Sequence, residues 1–176
     1  SAKTESWNGS SWTEIADLST ARGAVSSAGT LNTAALASGG YSGSRLSNVE
    51  ELAVDAPVGA WSTKADMNQS LGNRGSIGVY NAALAVGGRP PTTATNEQWN
   101  GSSWTEVGDI NTARHSMSTS GTTTSAIISG GENGGYRGVV EEWNGSAWTE
   151  TTDINTARGE GAGAGGSAEG ALMYAG

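Results

Sequence analysis

W-N-G-S-S-W-T-E from Trp99 to Glu106, followed by D-I-N-T-A-R from Asp109 to Arg114, is the stretch that decides the fold. The same wording stands at Trp7–Glu14, and as W-N-G-S-A-W-T-E at Trp143–Glu150. A degraded copy ends at Trp61, where Leu52 takes the place of the first Trp and the turn is longer. Trp12, Trp61, Trp104 and Trp148 are therefore equivalent and recur every 43 to 49 residues. A period in the forties built from short strands marks the blades of a β-propeller.

One repeat, from Thr112 to Asp153, reads as four strands. A small-residue strand runs from His115 to Ser120, turns at Gly121-Thr122-Thr123, and returns from Thr124 to Ser129 into the pair Gly130-Gly131. A polar loop leads to a third strand around Val139–Trp143. Asn144-Gly145 then signals a hairpin, because both residues tolerate the positive φ of a type I′ turn. The fourth strand carries Trp148, Glu150 and Thr152. Four antiparallel strands per repeat make one blade.

Equivalent positions hold throughout. Glycine pairs stand at Gly39-Gly40, Gly87-Gly88 and Gly130-Gly131, with Ala175-Gly176 in the fourth place. Each repeat has an arginine (Arg22, Arg74, Arg114, Arg158) and a glutamate before the first Trp position (Glu5, Glu50, Glu97, Glu141). An aspartate follows the second Trp, at Asp17, Asp66, Asp109 and Asp153.

Residues 1–176 read as one all-β domain. The chain opens with strands three and four of a blade (Thr4 to Ala16) and closes with strands one and two (Gly159 to Gly176), three full blades lying between. Pairing the two halves gives a four-bladed, closed monomer that hides its edge strands. The rival is a dimer that pools its blades in a larger ring. Nearly all residues of Gly23–Gly29 and Gly159–Gly165 are small, as a crowded axis requires.

Composition narrows the function. A formal charge of −8, with nine scattered basic residues, argues against nucleic-acid binding and anionic membranes. No stretch reaches the ~18 apolar residues of a membrane helix, and no charged-then-apolar leader is visible. The absence of Cys removes disulfides, thiolate metal sites and cysteine nucleophiles.

The marks A-L-A-S-G-G, V-V-E-E-W, S-A-W-T-E and N-T-A-R resemble the kelch repeat over essentially the whole chain. Its usual Tyr before the glycine pair survives only as Tyr174, displaced by one. The wording N-G-S-S-W-T-E is also similar to repeats encoded in bacteriophages and marine environmental sequence. That second likeness implies a virion or an extracellular setting.

Candidate sites divide into scaffold and surface. Arg22, Arg74, Arg114 and Arg158 read either as an anion-binding ring or as ties to Glu5, Glu50, Glu97 and Glu141. Recurrence matched by acids favours the ties. Trp12, Trp61, Trp104 and Trp148 suit sugar stacking or inter-blade core, and one Trp per outer strand favours core. Trp7, Trp99 and Trp143 read as core as well. The loops after the glycine pairs differ most between repeats and carry Tyr41, Arg45, Arg89, Tyr136 and Arg137. Variable loops on a rigid scaffold suit recognition of a glycan or a protein; the alternative is ordinary solvated loop.

No cofactor and no metal is called for. His115, the single His, reads as a hydrogen-bonded filler. Glu132-Asn133-Gly134-Gly135 has too few carboxylates for a calcium loop, and of the N-x-S triplets at Asn8, Asn68, Asn100 and Asn144, hairpin N-G turns explain three without glycosylation. The expectation is a non-catalytic recognition or structural propeller module. The alternative is a propeller enzyme of the glycosidase type, which shares arginines and carboxylates but whose S-x-D-x-G-x-T-W box is missing here.

Overall fold

The computed structural model describes residues 1–53, 60–174 and 176. Among them there is no α-helix, and a single 3-10 turn lies at Ala168–Gly170. β1 (Glu5–Trp7) and β2 (Trp12–Glu14) form an N-terminal hairpin. Three antiparallel four-stranded sheets follow. The first is β3 (Ser26–Leu31), β4 (Ala34–Ser38), β5 (Val49–Ala53) and β6 (Ala60–Lys64). The second is β7 (Gly75–Val79), β8 (Ala82–Val86), β9 (Asn96–Trp99) and β10 (Trp104–Val107). The third is β11 (Ser118–Gly121), β12 (Ala126–Ser129), β13 (Val140–Trp143) and β14 (Trp148–Glu150). A C-terminal hairpin closes the chain with β15 (Ala162–Ala164) and β16 (Leu172–Tyr174).

Each sheet is a meander with strands in chain order, and the first strands β3, β7, β11 and β15 lie side by side in series. Small residues let these strands meet through polar bonds. Thr119 Oγ1 donates to Ser76 O at 2.7 Å, Ser26 Oγ to Arg74 O at 3.2 Å, and Ser120 Oγ to Gly165 O at 2.8 Å. A side chain at Gly163 would strike the backbone of Thr119.

Two apolar clusters fill the spaces between sheets. Trp99 and Trp104 of the second sheet pack with Leu36 and Val49 of the first and with Met67 of the linker that follows it. Trp143 and Trp148 of the third pack with Leu84, Val86 and Ile110 of the second. The Trp pairs of the second and third sheets thus each cover the face of the preceding sheet. The two rings stack at 5.4 Å and 36° in one case, and at 5.3 Å and 39° in the other.

The hairpin between third and fourth strands is not the expected type I′ turn. Trp143 pairs with Trp148 across a four-residue loop in which Gly145 alone has positive φ, at 96°. Asn144 Oδ1 accepts the backbone N–H of Ser146 (2.9 Å) and Ala147 (3.0 Å), and Asn8 and Asn100 do the same in their copies. The Asn side chain builds the turn, so positive φ is needed only once. The long turn of the degraded copy falls on residues 54–59 and lies outside the described residues, as does Ala175 of the fourth glycine-pair position.

The two terminal hairpins remain separate two-stranded sheets, with no ladder from β16 to β1 among the described residues. This corrects the assignment of Trp12 to the core. Trp12 is 65% exposed and Trp7 44%, because no preceding face is there for them to cover. Trp61 is half-buried and donates Nε1–H to Thr4 Oγ1 at 3.1 Å, tying the N-terminal hairpin to the first sheet.

Truncating a buried ring of this packing leaves a cavity. Trp148→Ala is expected to cost about 3–5 kcal/mol in denaturant unfolding, while the exposed neighbour Thr149→Ala stays within about 0.5 kcal/mol of the parent.

Candidate functional site

The chain leaves each sheet through a linker containing D-x-N or D-x-S, and the last residue of that linker prepares the next sheet. Arg22 and Arg114 stand there, fully buried, each paired with the glutamate of its own third strand, Glu50 and Glu141. The second carboxylate oxygen faces the linker itself. Glu50 Oε2 accepts Ser19 N–H at 2.8 Å, Glu97 Oε2 accepts Asn68 N–H at 2.7 Å, and Glu141 Oε2 accepts Asn111 N–H at 2.6 Å. The guanidiniums also donate to main-chain carbonyls, Arg22 to Gly39 O and Asn48 O, and Arg114 to Gly130 O. These groups are tied up within the scaffold.

Arg74 reaches the same result from a different place. Ala24, Asn73, Ser116 and Glu160 have left-handed φ values of 50°, 55°, 55° and 58° and mark the true register between units. By that register Leu71 occupies the position of Arg22, Arg114 and Arg158, and Arg74 that of Val25, Met117 and Gly161. The second glycine of each pair agrees: a Cβ at Gly40 would meet Arg22 and Val25, at Gly88 Leu71 and Arg74, and at Gly131 Arg114 and Met117. Arg74 and the apolar residue have exchanged places. Its guanidinium still meets Glu97 at 2.6 Å and Ala85 O at 2.9 Å.

Arg158 and Glu5 stand apart from this pattern. Arg158 has no carboxylate within 4.0 Å among the described residues, and Glu5 is exposed with no cation.

The loops after the glycine pairs lie at the same end as the linkers. Tyr41 bridges to Gly23, Arg89 to Gly72, and Glu132 to His115, each bringing the residue after a glycine pair into a short extension of the sheet. Arg45 is half-buried, stacks over the Tyr41 ring at 5.3 Å, and lays its guanidinium against Gly72, where any Cβ would collide with it. Gly72 in turn exchanges backbone hydrogen bonds with Arg89 at 2.9 and 3.0 Å. Tyr136 lies over Gly159, and Arg137 donates Nη2–H to Asn133 O at 2.6 Å. The five loop residues thus share one end, with Tyr41, Arg45 and Arg89 on adjoining sheets and Tyr136 and Arg137 on the third.

His115 sits among these loops, buried, with Nδ1 3.1 Å from Ser116 Oγ and 4.0 Å from Glu132 Oε2. Burial pushes its pKa below the ordinary value, with the positive field of Arg89 adding to it and Glu132 and Glu160 opposing. Sequence alone treats His115 as filler and passes over Glu160. The signal for Glu160 was its place two residues after Arg158, the left-handed position that faces the loops. Among the described residues no group of three or more His, Cys, Asp or Glu is placed to hold a metal ion.

A concavity of about 350 Å³ lies at the opposite end among Gly29, Ile77, Val79, Thr119, Gly121 and Gly165. It has no ionisable lining and no general acid or base. No protein-family model matches the chain, and no curated protein is significantly similar to it in sequence.

Arg74→Met leaves Glu97 buried without its cation, and a loss of about 3–5 kcal/mol in denaturant unfolding is expected. Adding Leu71→Arg rebuilds the arrangement of the third sheet, and the double variant should regain most of that loss. For His115 the sign follows from its lowered pKa. Stability is fully present above the unfolded-state value of 6.5 and falls as pH drops toward the folded-state value. His115→Gln should remove that part of the pH dependence from a melting-temperature series.

Proposed function

We propose that the chain is a non-catalytic recognition module of the β-propeller type, without a cofactor, and that its loop end binds an acidic glycan. In this reading the fourth blade is a composite of β15–β16 with β1–β2. A virion or an extracellular surface is the setting that the repeat wording suggests.

One observation carries the ligand assignment. Among the described residues, Lys3, Arg22, Lys64, Arg74 and Arg114 each have a carboxylate partner, whereas Arg158 and three loop arginines, Arg45, Arg89 and Arg137, have none within 4.0 Å. These three guanidiniums belong to the equivalent loops of three successive sheets. In a chain of net charge −8, cations left unpaired at one end favour a ligand bearing carboxylate or sulfate groups. Tyr41 and Tyr136, 49% and 58% exposed, add ring faces suited to the apolar side of a sugar. The rest of the machinery supports binding over turnover, since the buried arginines and glutamates are consumed by one another.

A glycan array at physiological salt that includes uronic-acid and sulfated chains tests the reading. Acidic glycans should bind and neutral ones should not, with affinity falling as salt rises. Arg45→Ala and Arg89→Ala should each weaken binding about tenfold or more. Equal binding of neutral glycans, or loop variants that bind like the parent, would sink it. A blank array combined with capture of an acidic protein surface would move the site to a protein ligand.

A further inference from the structure

We infer that the face of the third sheet is a docking socket, and that its occupant is the Trp7–Trp12 hairpin of a second copy of this chain. The inference rests on the composite fourth blade proposed above and names who donates its second half.

The socket is recognised by register. Leu36 and Val49 of the first sheet, with Met67 of the linker that follows it, receive Trp99 and Trp104. Leu84 and Ile110 of the second, at the positions of Leu36 and Met67, receive Trp143 and Trp148. The corresponding residues of the third sheet are Ile127, Val140 and Ile154. They line an open cleft of about 240 Å³ beside Leu172 and Met173 of the C-terminal hairpin. No Trp pair fills it.

The plug exists at the other end of the molecule. Trp7 and Trp12 stack at 5.4 Å and 43°, close to the geometry of the two seated pairs, yet face outward. Polar groups are matched in the same way. Arg158 is in register with Arg22 and Arg114, yet among the described residues it has no carboxylate within 4.0 Å where those two each have one. Glu5 pairs across its hairpin with Glu14, just as Glu141 pairs with Glu150, so it holds the position of the buried glutamates and lacks only the arginine. The Asn155 N–H corresponds to the donors of Ser19, Asn68 and Asn111. The edges of β16 and β1 are both unpaired among the described residues, and the β12–β13 ladder would set Met173 opposite Glu5.

A second copy is the donor because one chain offers both parts at once. Its own hairpin is held on the first sheet by Trp61 to Thr4 at 3.1 Å, and by Asn32 Nδ2 to Ser6 Oγ at 3.0 Å and to Trp7 O at 3.2 Å. So held, it leaves the Trp pair in solvent while the cleft on the third sheet stands open. Plug and socket at opposite ends give a head-to-tail contact, and two copies that exchange them close a ring with no edge left over.

Light scattering of the purified full chain over a wide concentration range tests this. A dimer is expected. Trp12→Ala and Glu5→Arg should each raise its dissociation constant about tenfold or more. Both residues are exposed in the single chain, and circular dichroism checks that the variants fold. Glu5→Arg combined with Arg158→Glu should restore association, which a merely structural role would not do. A monomer at every concentration overturns the proposal. If Trp12 of that monomer is shielded from acrylamide quenching, the hairpin closes its own ring and the composite blade stands. If Trp12 is freely quenched, the composite blade falls as well. A dimer indifferent to both single variants also overturns the proposal, because it forms through another surface.

Discussion

A single buried carboxylate in each four-stranded sheet holds this structure in register. One oxygen of Glu50, Glu97 or Glu141 meets a guanidinium, and the other takes a backbone N–H from the linker entering the same sheet. A buried charge that lost either partner would be costly, so the linker is fixed in place with the ion pair. The linker sets where the first strand begins, and the first strand sets where the loop after the glycine pair emerges. Register at the carboxylate therefore becomes position at the loop end.

That constraint separates two kinds of arginine that composition counts together. The guanidiniums of the scaffold arginines are directed at carboxylates and carbonyls of their own unit. Arg45 and Arg137 instead meet an aromatic face or a loop carbonyl, and no acid. Electrostatic capacity is thus withheld from the scaffold and left on the loops, where an acidic chain has the least of it elsewhere to offer.

Much of the fold was legible in the sequence because its determinants are local. Alternation around each Trp, the glycine pairs and the spacing of small residues dictate strand order without knowledge of neighbours. Three features were not legible, each for a physical reason. The exchange of Leu71 and Arg74 is invisible to residue matching, since a long side chain reaches Glu97 from either position. The hairpin turn was misread because Asn144 acts through its side chain and not through its backbone angle. Trp12 was placed in the core on the strength of its repeat, but burial depends on the face opposite. At the loop end, Arg45 and Arg89 were readable as variable-loop residues. The convergence of Arg45, Arg89, Glu132 and Glu160 on His115 needed the third dimension.

The side-by-side series of first strands also governs how motion is distributed. Within one chain the first strands meet in the order β3, β7, β11 and β15, so opening the C-terminal hairpin breaks one of these interfaces and opening the second sheet breaks two. Amide exchange in such an array is graded, fastest at the ends and slowest in the middle. Arg89 is mounted on that slow centre, with the Arg45 guanidinium resting on its strand partner Gly72. A ligand gripped there meets a surface whose ordering was completed during folding, and little entropy remains to be lost on binding.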